Sequence, residues 1–237
     1  MSGHSKWAQI KRKKEVTDKK RGKLFSKLSK IITVAAKNGT NPDTNFKLRL
    51  AIDQARGYNL PADNIKRALE KATGGSGKNF EDVLYEAYGQ GGAAILVIAS
   101  TDNKNRTVSE LKKILQDFGG RLAETGSVAW MFKEQGVVVL PKPATPVDRE
   151  NLELRLIDLG ALDVVEDEQT MAGYFSLKDF NQARRAITEK IISAEVIRQA
   201  DNLVEINEIG KEKISKLIEA LEEQEDVDNV FTNISNL

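Results

Sequence analysis

Apolar positions recur at helical spacing through the first third of the chain. Between Arg21 and Asn38 they fall at Leu24, Leu28, Ile31, Ile32 and Ala35, the three-and-four rhythm of one helix face. Asn38-Gly39 reads as a stop, because glycine accepts the left-handed conformation that ends a helix. Pro42-Asp43 opens a second helix with Leu48, Ile52 and Ala55 inward and Gly57 as its stop. Pro61-Ala62-Asp63 starts a third, with Ile65, Ala68, Leu69 and Ala72 inward, closed by Gly74-Gly75. Three short amphipathic helices predict a small bundle. The segment Thr73-Gly74-Gly75-Ser76-Gly77-Lys78 is small, polar and glycine-rich, the composition of a linker.

Beyond the linker the period changes. Val83–Tyr88 and Ala93–Ala99 read as strands joined through Gly89-Gln90-Gly91-Gly92, a hairpin pattern. Asn105–Phe118 returns to helical spacing (Val108, Leu111, Ile114, Leu115, Phe118) and stops at Gly119-Gly120, and Val128–Phe132 reads as a strand. Strands at Val137–Leu140, Asp163–Glu166, Gly173–Leu177 and Glu195–Arg198, with helices at Asp148–Leu159 and Asn181–Ile191, give the order βαββαβ, the ferredoxin-like arrangement. The remainder is a short strand at Leu203–Ile206, a helix at Lys211–Glu222 and a strand at Val227–Ile234. One helix and a strand or two cannot bury a core alone, so they are expected to complete the sheet begun near residue 80. The predicted fold is α+β and multidomain: a basic helical domain over 1–78, a discontinuous α+β domain over 79–133 and 202–237, and a ferredoxin-like domain over 134–201 inserted in it.

Charge changes this picture more than composition does. The net charge is +1, with 36 Lys+Arg against 35 Asp+Glu. Residues 1–78 nevertheless hold 19 basic and 6 acidic residues, leaving the rest of the chain at −12. Such asymmetry predicts a module for a polyanion joined to an acidic body. Residues 1–30 are the extreme, with eleven cations against Glu15 and Asp18. Lys6, Lys11, Arg12, Lys13, Lys14, Lys19, Lys20, Arg21, Lys23 and Lys27 are the candidate phosphate contacts, because cations this dense repel one another until phosphates neutralise them and counterions are released. Trp7 offers either an aromatic face for an unpaired base or an anchor for the tail.

The same tail carries a resemblance. Gly3-His4-Ser5-Lys6-Trp7, Ile10-Lys11 and Asp18-x-Lys20-Arg21-Gly22-Lys23, followed by Asn45-x-x-Leu48-Arg49 and Asn59-x-Pro61-x-Asp63-Asn64-Ile65, resemble the YebC/PmpR family. The likeness continues through Tyr85-Glu86-x-Tyr88-Gly89, Asn103-x-Asn105-Arg106-Thr107 and Gly126-Ser127-Val128-x-Trp130-x-Phe132. It is dense over residues 3–132 and looser beyond. The resemblance implies a cytoplasmic regulatory protein with a helical domain and two α+β domains, one inserted in the other. It further implies DNA-binding control of transcription, or alternatively a factor that assists ribosomes through proline-containing stretches. DNA and ribosomal RNA are therefore the two expected partners.

Enzyme chemistry finds little support. With no cysteine and only His4, thiol catalysis, disulfides and cysteine zinc sites are excluded and histidine chemistry is nearly so. The segment Ala72–Asn79 imitates a P-loop but begins with Ala, ends in Asn79 instead of Ser or Thr, and follows a helix where a strand is required. A phosphate-dependent enzyme thus ranks last. The acidic runs Glu166–Glu168 and Glu222–Asp226 read as solvated surface. Arg106, at a strand-to-helix junction, is a candidate anion contact, whereas Asn103 and Asn105 suit capping. Gln90, Ser127 and Trp130 lie in the family-like motifs, and their spacing alone shows turn and strand roles. No catalytic residue, metal, cofactor or small-molecule substrate is expected, and no apolar run is long enough for a membrane span, which predicts a soluble protein.

Overall fold

The computed structural model describes residues 18–73, 80–235 and Leu237, with side chains from Arg21 onward. The linker 74–79 lies outside the described residues. The fold is α+β: a three-helix bundle and two four-stranded antiparallel sheets with their helices. Two compact units divide it, one reaching to Phe132 and resuming at Gln199–Leu237, the other spanning Lys133–Arg198.

The bundle consists of α1 (Asp18–Ala36), α2 (Phe46–Gly57) and α3 (Ala62–Thr73). Its core is the expected stripe set: Leu28, Ile32, Ala35, Leu48, Ile52, Ala55, Ile65 and Ala68 are buried together, with Leu24, Ile31, Leu69 and Ala72 packed against them. Gly39 stops α1 as expected, at φ +127°, its N–H returning to Ala36 O at 3.1 Å. Two helix ends differ from expectation. Pro42-Asp43 forms a turn, and α2 begins after Asn45, whose Oδ1 accepts from Leu48 N at 3.0 Å. The Asn45 amide also donates to Ala35 O and Gly39 O, both at 2.7 Å, so one buried side chain closes α1 and opens α2. Gly57 does not stop α2. Asn59 does, at φ +58°, with its N–H on Arg56 O and Leu60 N–H on Ala55 O, the paired bonds of a Schellman end.

In the first α+β body, β1 (Glu81–Tyr88) and β2 (Ala94–Thr101) form the expected hairpin, with Tyr88 opposite Ala94. The turn needs glycine: Gly91 and Gly92 stand at φ +70° and +80°. Then come α4 (Lys104–Asp117) and a two-residue strand β3 (Arg121–Leu122). Long after, α7 (Glu208–Glu223) and β8 (Val227–Thr232) follow, giving the sheet order β3-β1-β2-β8. Ile95, Val97, Leu111 and Leu115 share one core with Ile214, Leu217, Leu221 and Val230, so the C-terminal segment fills the sheet that opens at residue 81. Leu203–Ile206 is not a strand; it contributes a single bridge between Val204 and Ile234. Val128–Phe132 also departs from expectation, since Ala129–Met131 is one turn of 3-10 helix and the next strand begins at Phe132.

The inserted unit comprises β4 (Phe132–Pro141), α5 (Pro146–Asp158), β5 (Ala161–Glu166), β6 (Thr170–Phe175), α6 (Leu177–Ala186) and β7 (Ser193–Ala200). Its order β5-β6-β4-β7 is the ferredoxin-like sheet. Val137–Leu140, Leu156, Tyr174, Phe175 and Phe180 are buried in it. Gly136 leaves the space that Phe180 occupies, for a Cβ there would stand 2.1 Å from Phe180 Cγ.

Candidate nucleic-acid interface

Of the expected nucleic-acid contacts, Lys6, Trp7, Lys11, Arg12, Lys13 and Lys14 lie outside the described residues. Lys19 and Lys20 fall in the first turn of α1, and Arg21 and Lys23 are exposed on its next turn. Lys27 does not join them. Its ammonium donates to the carbonyls of Glu222 (2.5 Å), Gln224 (2.6 Å) and Val227 (2.8 Å), around the C-terminal end of α7. Helix ends leave such carbonyls without intrahelical partners and carry partial negative charge, so a lysine from another element is a natural cap. All three ammonium protons are used there, which moves Lys27 out of the phosphate-contact set.

Lys30, one turn further along, does the same work. It donates to Ser100 O (3.0 Å), Glu225 O (3.1 Å) and Asp226 O (3.0 Å) and pairs with Asp228 Oδ1 at 3.2 Å. Burial pushes the Asp228 carboxyl up, against the opposing pull of Lys30. Together the two lysines hold α1 on the α+β body, so the cationic start of α1 is presented from a fixed base.

Glu222–Asp226 is therefore not simply solvated surface. Asp226 is buried and accepts from Arg106 Nη2 at 3.0 Å on Oδ1 and 2.8 Å on Oδ2, and from Thr107 Oγ1 at 2.8 Å. Burial opposes the charged form, yet the bonds from Arg106 and Thr107 hold the Asp226 carboxyl below its ordinary value. Arg106 also pairs with Asp102 at 2.8 Å, and hydrogen bonds to Asp226 and then Asp102 raise its pKa further. Two carboxylates thus pair with the guanidinium, which ties the start of α4 to the residue that precedes β8 while its side chain stays exposed. Asn103 caps α4, accepting from Arg106 N at 3.1 Å.

A second constellation escaped sequence reading. Glu86, buried in β1, accepts backbone N–H bonds from Gly126 (2.5 Å), Val128 (2.5 Å) and Ala129 (2.8 Å). Burial by itself would raise its pKa, but these three donors hold it below 4.5. The bonds explain the lost strand, since amides committed to Glu86 cannot join a ladder and the chain curls into a 3-10 turn. Within that turn Ser127 O accepts from both Tyr88 Oη (3.1 Å) and Trp130 Nε1 (3.0 Å). Trp130 is left 67% exposed, and the Arg121 guanidinium lies 5.7 Å from the Tyr88 ring centroid. The available signal was the pairing of two motifs, Tyr85–Gly89 and Gly126–Phe132, which the fold brings together through a carboxylate and amides 40 to 43 residues away.

No group of three or more His, Cys, Asp or Glu among the described residues could hold a metal, and no described helix is long and apolar enough to cross a membrane. The fold and its charged front define a class: an α+β protein with a basic helical module clamped by lysines to a body that carries a ferredoxin-like insert. Residues 5–75 match the model of the TACO1/YebC protein N-terminal domain, and residues 80–234 match that of the TACO1/YebC second and third domain. The chain belongs to the TACO1/YebC family. A relative in Natranaerobius thermophilus, named probable transcriptional regulatory protein, is 45% identical over 239 residues, covering 98% of this chain and 96% of its own. One in Thermoanaerobacter pseudethanolicus, similarly named, is 44% identical over 239 residues, covering 99% of this chain and 97% of its own. The crystal structure of a conserved hypothetical protein from Aquifex aeolicus matches with a TM-score of 0.86 at 38% identity, over 97% of this chain and 96% of that one.

Proposed function

We propose that this chain is a nucleic-acid-binding regulatory protein, and specifically a DNA-binding regulator of transcription. Residues 1–78 form the binding module in this reading. The body over 79–133 and 202–237, with its insert over 134–201, sets orientation. The observation that carries the proposal is the division of labour along α1. Lys27 and Lys30 are consumed in fixing the helix, while Arg21 and Lys23 are exposed and continue the cationic run of residues 6–20. Cations gathered on one front gain by displacing condensed counterions from a sugar–phosphate polymer. The names of the curated relatives favour transcription.

A second reading, binding of ribosomal RNA or the ribosome in support of translation, draws on the same cations. It is favoured by the use of α1: its inward stripe packs in the bundle, and Lys27 and Lys30 face the α+β body. Little of the helix remains to read base edges in a major groove, whereas phosphate contacts position without reading sequence. Charge reversal at Lys11, Arg12, Lys13 and Lys14 separates these contacts from the fold. The expected result is loss of retention on both promoter DNA and ribosomes with an unchanged circular dichroism spectrum. Retained binding of both would overturn the proposal, and selective loss of one identifies the partner.

A further inference from the structure

We infer that Trp130 is a stacking platform for an unpaired base of a single-stranded nucleic acid, a claim that rests on the nucleic-acid reading above and narrows it. Two-thirds of this tryptophan faces solvent, although it is among the largest apolar side chains of the body. Its exposure does not come from an unmet polar group, because Nε1 donates to Ser127 O at 3.0 Å. Nor does it come from a loose loop. The segment that carries it is held at three points, Gly126, Val128 and Ala129, by the buried Glu86 carboxylate, and at a fourth by Tyr88 Oη on that same Ser127 carbonyl. The ring is thus locked by its edge and bare on its surface.

The composition of the loop narrows the ligand. Ala123, Glu124, Thr125, Gly126 and Ser127 lead into the turn, and none is a large apolar residue. Among the exposed large hydrophobic side chains of the described residues, no other belongs to this loop. A single exposed aromatic plane fits a flat ring of similar size. Tyr88 shares an acceptor with Trp130, and Arg121 is exposed over the Tyr88 ring at 5.7 Å, which places a fork of N–H donors on the aromatic that is tied to the same carbonyl as the indole. Base on the indole and phosphate on the guanidinium is the arrangement that single-stranded chains meet on stacking surfaces. A duplex offers neither surface of an internal base, because its neighbours already cover both.

The test uses the full chain with a single-stranded oligouridine RNA and a blunt duplex DNA of equal length. The protein carries 5-fluorotryptophan, and its two indole signals are assigned with Trp130→Phe. The oligouridine is expected to shift the Trp130 fluorine signal while the duplex does not. Trp130→Ala is expected to weaken single-strand binding roughly tenfold, to leave duplex binding unchanged, and to keep the thermal melt. Trp130→Phe restores most of the loss, because a smaller ring still stacks. Equal loss of both ligands would make the ring structural and overturn the inference. An unmoved Trp130 signal with both ligands bound would overturn it while leaving the nucleic-acid reading intact. Failure of the unmodified protein to bind either ligand overturns both.

Discussion

Glu86 shows how much one buried carboxylate decides. Three amide donors converge on it, and they determine where β4 begins, why Val128–Met131 is turned and where Trp130 stands. Glu86→Gln keeps the shape but replaces one acceptor oxygen by an NH2 that faces amide donors. At neutral pH it is expected to cost about 1–3 kcal/mol in urea unfolding, the range for losing hydrogen bonds to a buried charge. The sign of the pH effect follows from the lowered pKa. Below 4.5 the unfolded chain takes up the proton first, so the stabilisation is present above 4.5 and fades as pH falls through the folded value. The gap between parent and variant is therefore expected to shrink in acid; a gap independent of pH would contradict the ionised role. The motif Tyr85–Gly89 contains this glutamate but does not show its role, because its donors arrive from a distant loop. Asp226 is similar: it reads as one more acid in Glu222–Asp226, and only the return of β8 beside β2 brings Arg106 to it.

Among the elements, those with a long apolar rhythm were legible and their ends were less so. The stripes of α1, α2 and α3 are the bundle core nearly residue for residue. The stop of α2 was misread because Gly57 is compatible with a helix interior, whereas Asn59 accepts φ +58° when two backbone bonds hold it there. Lys23, Lys27 and Lys30 are indistinguishable in sequence, yet the last two meet carbonyls 195 residues or more away, apart from Ser100 O. Lys27→Met keeps the aliphatic stem and removes the donors. It is expected to lower stability by about 1–3 kcal/mol, by the worth of charge-assisted bonds lost, and to leave polyanion affinity nearly unchanged. Weakened binding at full stability would return Lys27 to the phosphate front.

For the whole molecule, segregation of charge and interruption of one sheet by another were both legible. The apolar faces of α7 and β8 had nowhere to be buried except against the sheet begun by β1 and β2. Function was legible only as chemistry: a cationic front implies a polyanion, and charge alone does not distinguish DNA from RNA. The family adds the regulatory setting in which its curated relatives are named. The most direct measurement is the affinity of the full chain for a DNA duplex and for ribosomes as salt is raised. A phosphate-gripping N-terminal segment is expected to give log K falling linearly with log salt, with a slope of about −4 or steeper on duplex DNA. A flat dependence, or no binding at low salt, would contradict it.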